Sequence, residues 1–318
     1  MRIAVLGANG RIAHEVARAF LAHGHSVVAV TRNGQCPGLS GDVEYRAADA
    51  MQADQLIAAT RGADLVFNGL NPPYDQWASK AMTMARNVIA AAKANGLPHL
   101  FIGNVYNYGS SISLDSDENT PFAADTRKGR IRVEMEALFA REAMESGVQT
   151  VILRAGDFYG TNGRGSWFDL FIASKVDKGV FTWPGPMDAV HAFAYLPDLA
   201  EAFVRLGERM DRLATFETFT FAGHSLTGYQ FQAWVEAAAG RHMKSASVPW
   251  WLFRLAGPFH PMLNEVNEMA YLWKVPHSLS GRKLSQAIGE PASTPPEAAI
   301  AQALVEQGKI APRQSMAA

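Results

Sequence analysis

The chain has 318 residues, 48% of them hydrophobic and 19% charged, with a formal net charge of −1. That length suggests about two domains with bulk enough for a sizeable core, and the near-zero charge offers no global attraction to nucleic acid or to an anionic membrane. A single cysteine, Cys36, excludes an internal disulfide and a thiolate metal set, and no apolar run reaches the ~18 residues of a membrane span.

Residues 1–6 are an apolar run that predicts a first strand, so early that no leader segment and a cytoplasmic location are expected. Gly7-Ala8-Asn9-Gly10-Arg11-Ile12-Ala13 follows at once, then helical periodicity over 14–23 and a second apolar run over 26–30 that ends at Thr31 and Arg32. Strand, glycine turn, helix and strand make the opening unit of a dinucleotide-binding sheet. Gly7 lets the chain turn off the strand, Gly10 lets the main chain approach a pyrophosphate, and Ala13 lets the helix pack close. Main-chain N–H groups near Asn9, Arg11 and Ile12 then face the phosphates. NAD-selective proteins of this architecture end the second strand on a carboxylate that accepts from the ribose 2′-OH. Here that place holds Thr31 and Arg32, and no carboxylate occurs from residue 25 to 40. Arg32 suits a 2′-phosphate, so NADP is expected in preference to NAD.

Residues 43–47 predict a third strand, ended by Ala48, Asp49 and Ala50; 54–60 a helix; and 63–67 a fourth strand running into Asn68, Gly69 and Leu70. A long helix over 77–95 stops at Gly96, a fifth strand covers 99–102, a second long helix covers 127–146 up to Gly147, and a sixth strand covers 148–153. The alternation predicts the α/β class, a Rossmann doubly wound parallel sheet of about seven strands with helices on both faces. After Arg154 the rhythm changes. Residues 156–186 are rich in Gly, Phe and Trp and carry one short helix at 167–178. Strand, helix and strand return over 191–196, 197–209 and 216–221; the chain beyond 225 reads as mostly helical, with an aromatic run at 248–253. The expected organisation is a dinucleotide-binding domain of residues 1–156 and 187–224. A smaller, mostly helical substrate domain of 157–186 and 225–310 follows, then a tail at 311–318. Substrate should lie in the crevice between the two.

Taken together, these stretches resemble the extended short-chain dehydrogenase/reductase family, the NAD-dependent epimerase/dehydratase-like group. The resemblance covers about residues 1–290. It rests on the G-x-x-G-x-x-A turn, on Asp49, and on Val105-Tyr106-Asn107-Tyr108-Gly109. It rests also on the run from Leu153 and Arg154 to Tyr159 and Gly160, and on the run from Phe193 to Ala202. It implies cofactor contacts at Asp49 and Ala50, at Asn68, Gly69 and Leu70, and at Asn104 and Arg130. The family's catalytic pair is a tyrosine four residues before a lysine on the helix after the fifth strand, with a glutamate beyond. Anchored on Glu134, the tyrosine position falls at Thr126 and the lysine position at Arg130; the serine or threonine before Tyr-Gly falls at Asn104. This resembles the atypical branch that lacks the Tyr-x-x-x-Lys pair.

A guanidinium at Arg130 can hold a ribose or phosphate oxygen but cannot pass a proton at neutral pH, and Thr126 is no acid. A general acid must come from elsewhere. The loop 104–109 leaves the fifth strand at the ligand edge, and Tyr108, which precedes a glycine, is the best single replacement acid. Tyr106, Arg154, Asp157 and Tyr159 share that end as candidate substrate contacts. The alternatives are aromatics packed under the second domain, a helix-capping carboxylate at Asp157 and a buried ion pair at Arg154. The basic cluster 127–132 is either a solvated face or a phosphate site, and His23 and His25 suit a helix end better than a metal. No metal is expected. The two long helices are those the family uses for a four-helix interface, so a homodimer is an expected assembly, with a small-molecule substrate and neither nucleic acid nor membrane as partner. The expected function is an NAD(P)-binding oxidoreductase or epimerase-like enzyme acting on a small carbonyl or sugar-type substrate. The alternative of a different class is a non-catalytic NADP-binding sensor or regulator.

Overall fold

A computed structural model describes residues 1–161 and 165–312; the expected tail from residue 313 onward lies outside the described residues. Six strands come first: β1 (Arg2–Leu6), β2 (Ser26–Thr31), β3 (Val43–Ala47), β4 (Leu65–Asn68), β5 (His99–Asn104) and β6 (Thr150–Ala155). Then come β7 (Asp157–Tyr159), β8 (Val180–Trp183), β9 (His191–Tyr195), β10 (Phe216–Thr220), β11 (His224–Leu226) and β12 (Lys244–Ser247). Seven of these form one parallel sheet in the order β10-β6-β5-β4-β1-β2-β3. The central strands are continuous apolar runs because both faces are covered: Ile3, Ala4, Val5 and Leu6 are all fully buried.

The covering helices are α1 (Arg11–Ala22), α2 (Ala53–Thr60), α3 (Trp77–Asn95), α4 (Arg127–Ser146) and α5 (Leu196–Gly207). In α1, Ile12, Ala13, Val16, Ala17 and Phe20 recur at helical spacing and make one apolar stripe. With α5 it fills one face of the sheet, while α2, α3 and α4 fill the other. The strand order reverses between β1 and β4, and at that switch point the carboxyl ends of the strands part to leave a crevice.

Over those ends sits a separate aromatic layer. Its frame is the three-stranded sheet β11-β9-β7 and the two-stranded β12-β8. Its helices are α6 (Gly228–Ala239), α7 (Trp250–Ala256), α8 (Pro261–Glu268), α9 (Arg282–Ile288) and α10 (Pro296–Glu306). Of these, α9 packs back on α5. Tyr159, Phe168, Phe181, Trp183, Phe193, Phe231 and Trp273 form the core of this layer.

Three local expectations change. The strand at 191–195 joins the small sheet, not the main one, because Asp157–Tyr159 pairs with it in parallel. The short helix expected over 167–178 is a π-helical turn at Phe168–Ile172 and a single 3₁₀ turn at Val176–Lys178. β11 and β12 interrupt the stretch expected to be helical; β12 is four exposed residues, Lys-Ser-Ala-Ser, with no apolar signal to betray it. Among the described residues no helix is long and apolar enough to cross a membrane.

Candidate active site

The carboxyl ends of the main strands open on one cleft of about 1080 Å³, larger than a pocket for a single drug-sized ligand. The glycine turn forms one wall. Gly7 adopts φ +73°, a left-handed conformation that favours glycine, and the Gly10 N–H donates to the Gly7 carbonyl at 2.7 Å. A Cβ at Gly10 would stand 3.1 Å from that oxygen. Gly10 is the N-cap of α1, yet no side chain caps this helix start. Its first N–H groups are left for a ligand, with the positive end of the helix dipole behind them.

The rest of this half of the cleft follows from the chain. Gly10, Arg11, Ile12, Asp49, Ala50, Gly69 and Leu70 line it, and Ala13 packs beneath, where a Cβ on Gly69 would come within 2.7 Å of its own. The Arg11 guanidinium donates through Nη1 to Asp169 Oδ1 at 3.1 Å and through Nη2 to the Gly160 carbonyl at 2.9 Å, while its buried Nε has no partner among the described residues. Asn9 Nδ2 donates to the Gln35 carbonyl, and the Thr31 hydroxyl accepts from the Gln35 N–H; both brace the turn after β2. Arg32 is exposed at the cleft's lip and makes no ion pair with any described residue. Asp49 accepts from the Met51 N–H at 2.9 Å, and Asn68 turns into a small adjoining pocket.

The far end of the cleft is polar, and its titratable groups are largely desolvated. Asn104 lines it, its Oδ1 accepting from the Tyr106 N–H. The Tyr106 hydroxyl is 2.8 Å from that of Tyr74. Burial raises both phenols, Tyr74 to about 12 and Tyr106 well above its ordinary value, so both are neutral donors at physiological pH. Asp157 Oδ2 lies 2.8 Å from His191 Nε2, and the His191 ring stacks on Trp273 at 3.9 Å. Desolvation lifts Asp157 to about 7 and drops His191 and His277 to about 3. Both shifts disfavour the charged forms, so below about pH 7 the Asp157–His191 contact is a neutral hydrogen bond and not an ion pair. A carboxyl titrating near 7 can both give and take a proton at neutral pH.

The profile of the NAD dependent epimerase/dehydratase family matches residues 3–222. The chain belongs to this family. No curated protein matches the sequence. Among solved structures it is similar to UDP-glucose 4-epimerase with UDP-glucose from Thermotoga maritima, at 14% identity and TM-score 0.78 over 97% of this chain and 99% of that one. It is similar also to UDP-glucuronic acid 4-epimerase from Bacillus cereus in complex with UDP-glucuronic acid and NAD, at 16% identity and TM-score 0.77 over 97% and 99%. UDP-glucose 4-epimerase from Brucella ovis in complex with NAD matches at 15% and 0.76 over 96% and 98%. At these identities the likeness is one of fold.

The two glutamates that could anchor the family's catalytic spacing on α4 differ in burial. Glu134 is exposed beside Arg86, whereas Glu136 is buried. Counted from Glu136, the same spacing lands on Lys128 and Arg132. Gly129 supports this register: a Cβ there would meet the Tyr106 carbonyl at 2.6 Å, so the helix approaches the β5 loop at that point. Arg132 lines the cleft with its guanidinium over the Trp77 and Phe101 rings, and its Nε has no partner. Lys128 is wholly buried and is held by the carboxylates of Glu265 and Glu268. Thr126 is instead the N-cap of α4, accepting from the Gly129 N–H, and the exposed Arg130 turns back to the Asp125 carbonyl.

Tyr108 does not reach the cleft. It is fully buried, donates to the Asp117 carbonyl at 3.0 Å and accepts from Arg154 Nη1 at 3.2 Å. Arg154 does not make it acidic, because burial outweighs that cation and Arg154 is itself bound to Glu136 at 2.6 Å. Arg154 is thus one half of a buried ion pair. Tyr159 is buried too, bonded to His224 Nδ1. The basic cluster at the start of α4 is divided: Lys128 is buried against Glu265 and Glu268, Arg127 pairs with Glu265 but stays half exposed, Arg130 is exposed and Arg132 lines the cleft. The sequence reading missed Tyr74 and His191, and held Arg132 only as one member of the basic cluster 127–132. Gly129 within that cluster was the available sign that singles out Arg132; nothing local marked the other two. Among the described residues no group of three or more His, Cys, Asp or Glu side chains could hold a metal ion.

Proposed function

We propose that the protein is a nicotinamide-dinucleotide-dependent oxidoreductase with an epimerase-like fold, acting on a small carbonyl-bearing molecule and preferring NADP to NAD. The observation that carries this reading is the continuity of one cleft from the uncapped turn at Gly7 and Gly10 to the Asp157 carboxyl beside Tyr106. Family membership and the NAD held by solved neighbours support the cofactor class. The first-turn N–H groups of α1 would hold the pyrophosphate. Asp49, Ala50, Gly69 and Leu70 would flank the nucleoside, and Arg132 and Asn104 would take the second ribose. Arg32 would take a 2′-phosphate by charge-assisted hydrogen bonds.

A bound nicotinamide supplies or accepts hydride. The chain must handle the matching proton, and with no Tyr–Lys pair in register that task falls to Asp157. Tyr106 serves as a neutral donor that orients the substrate oxygen and strengthens its bond as charge grows there. Burial among His191, Tyr74, Tyr106 and Tyr271 holds Asp157 up near 7, while His277 pulls it down. In the reducing direction the rate should fall as pH rises through about 7, since the carboxyl is then ionised. The test is turnover of carbonyl compounds with NADPH. Asp157→Asn should lower kcat by about 100-fold or more and abolish that break, with cofactor affinity kept. Wild-type turnover in Asp157→Asn refutes the assignment. Tight cofactor binding with no turnover at all would favour the sensor, the reading that the missing Tyr–Lys pair supports.

A further inference from the structure

One helix of the aromatic layer is apolar on both its inner and its outer face. The inner face of α7 is seated. Trp250 donates from Nε1–H to the Pro184 carbonyl at 2.7 Å, and Phe253 packs on Phe171 with ring centroids 6.1 Å apart. The outer face is Trp251, Leu252 and Leu255, which helical spacing sets side by side. All three are exposed, Trp251 by 61% and Leu255 by 66%. The chain then turns through Gly257–Phe259 into α8 and adds Phe259, 89% exposed, and Met262. Of the twelve exposed large hydrophobic side chains among the described residues, five fall within residues 251–262, so this is a patch and not ordinary scatter. A helix apolar all round belongs in a core or in lipid, and an exposed apolar patch marks an interaction face.

We propose that this patch docks the protein reversibly on an anionic lipid surface. The charge around it decides the partner. No carboxylate occurs between Glu236 and Glu265. Both of those are engaged: Glu236 accepts from the Met243 N–H, and Glu265 pairs with Arg127 and Lys128. The stretch between them carries Lys244, on β12 just before α7, and Arg254, on α7 itself; both are exposed. Asp75, exposed on the 3₁₀ turn Tyr74–Gln76 that packs on α8, is a single opposing charge. The near-neutral charge of the whole chain conceals this local bias. A protein partner would call for about one hydrogen bond per 100–200 Å² of interface. The outer face of α7 offers little for that besides Arg254. A lipid surface asks for no directed bonds: its acyl region takes Trp251, Leu255 and Phe259, and anionic headgroups take the cations. Residues 313–318 carry one large apolar side chain, Met316, too little to cover the patch from within the chain. Phe171, which touches Phe253, also lines the cleft, so docking brings the rim of the cleft to the bilayer.

The experiment is co-sedimentation of the full-length protein with vesicles of phosphatidylcholine, alone or with about one-third phosphatidylglycerol. The protein should bind the mixed vesicles, bind pure phosphatidylcholine far less, and lose the difference in roughly 1 M salt. Leu255→Ser combined with Phe259→Ser should weaken binding about tenfold or more. Both side chains are exposed, so the unfolding midpoint should stay where it is. Arg254→Glu should weaken binding to the mixed vesicles by about tenfold or more and leave the weak binding to phosphatidylcholine unchanged. Absence of the wild-type protein from the mixed-vesicle pellet overturns the proposal, as does equal binding by the double serine variant. A dimer seen by sedimentation velocity without vesicles, and split by those serines, would assign the patch to a second copy and overturn it as well.

Discussion

Tyr108 shows how a side chain's chemistry depends on what it faces. In sequence it is a phenol after a strand that ends at the ligand edge; in space its hydroxyl joins the Asp117 carbonyl and the buried Arg154–Glu136 pair. Tyr108→Phe should therefore cost about 1–2 kcal/mol of stability, read by urea unfolding, and leave cofactor affinity unchanged. Glu136→Ala should cost far more, about 3–5 kcal/mol, because Arg154 would stay buried without its counter-charge. A loss below ~1 kcal/mol there would contradict the buried pair. The glycine turn was legible in the sequence because its chemistry is local, a backbone conformation and a missing Cβ. Which glutamate of α4 is buried was not. Glu134 and Glu136 stand two apart on α4, and only tertiary packing makes one exposed and the other buried.

The start of α4 makes the same point one level up. Arg127 and Lys128 place positive charge at the positive end of a helix, which the dipole disfavours. The offset comes from Glu265 and Glu268, more than a hundred residues away at α8, and so was invisible to any local reading. Lys128→Met should destabilise the protein by roughly 3 kcal/mol, since Glu265 would keep only Arg127, and adding Glu265→Gln should recover part of that loss. A neutral Lys128→Met would mean that this clamp joins α4 to α8 without stabilising the fold. The main-sheet strands were legible as buried apolar runs between glycine stops. β11 and β12 were not, because three and four residues of mixed polarity carry no period.

At the scale of the whole molecule, the βα alternation revealed the sheet, and the aromatic composition after residue 156 marked the second layer. Which titratable side chains are buried followed from neither. That burial predicts a pH response. His99, His191 and His277 are held near 3, so on unfolding at pH ~5 each takes up a proton that the native state excludes. Asp157, held near 7, works the other way: it is protonated when folded and ionised when unfolded at that pH. Three protons gained against one lost leave a net uptake of two. Stability should therefore fall as pH drops from ~6.5 toward 4.5, by roughly 3 kcal/mol per pH unit around pH 5. Urea unfolding at a series of pH values checks this, and a flat profile would contradict the burial of these rings.

The central claim is that a nicotinamide dinucleotide lies across the Gly7–Gly10 turn with Arg32 on its 2′ position, and calorimetric titration tests it most directly. Wild-type protein should bind NADPH more tightly than NADH, Arg32→Ala should shrink that gap by roughly 10- to 150-fold, and Gly10→Val should lose both cofactors. Gly10→Val titrating like wild type, or an NADPH-to-NADH ratio untouched by Arg32→Ala, would contradict it.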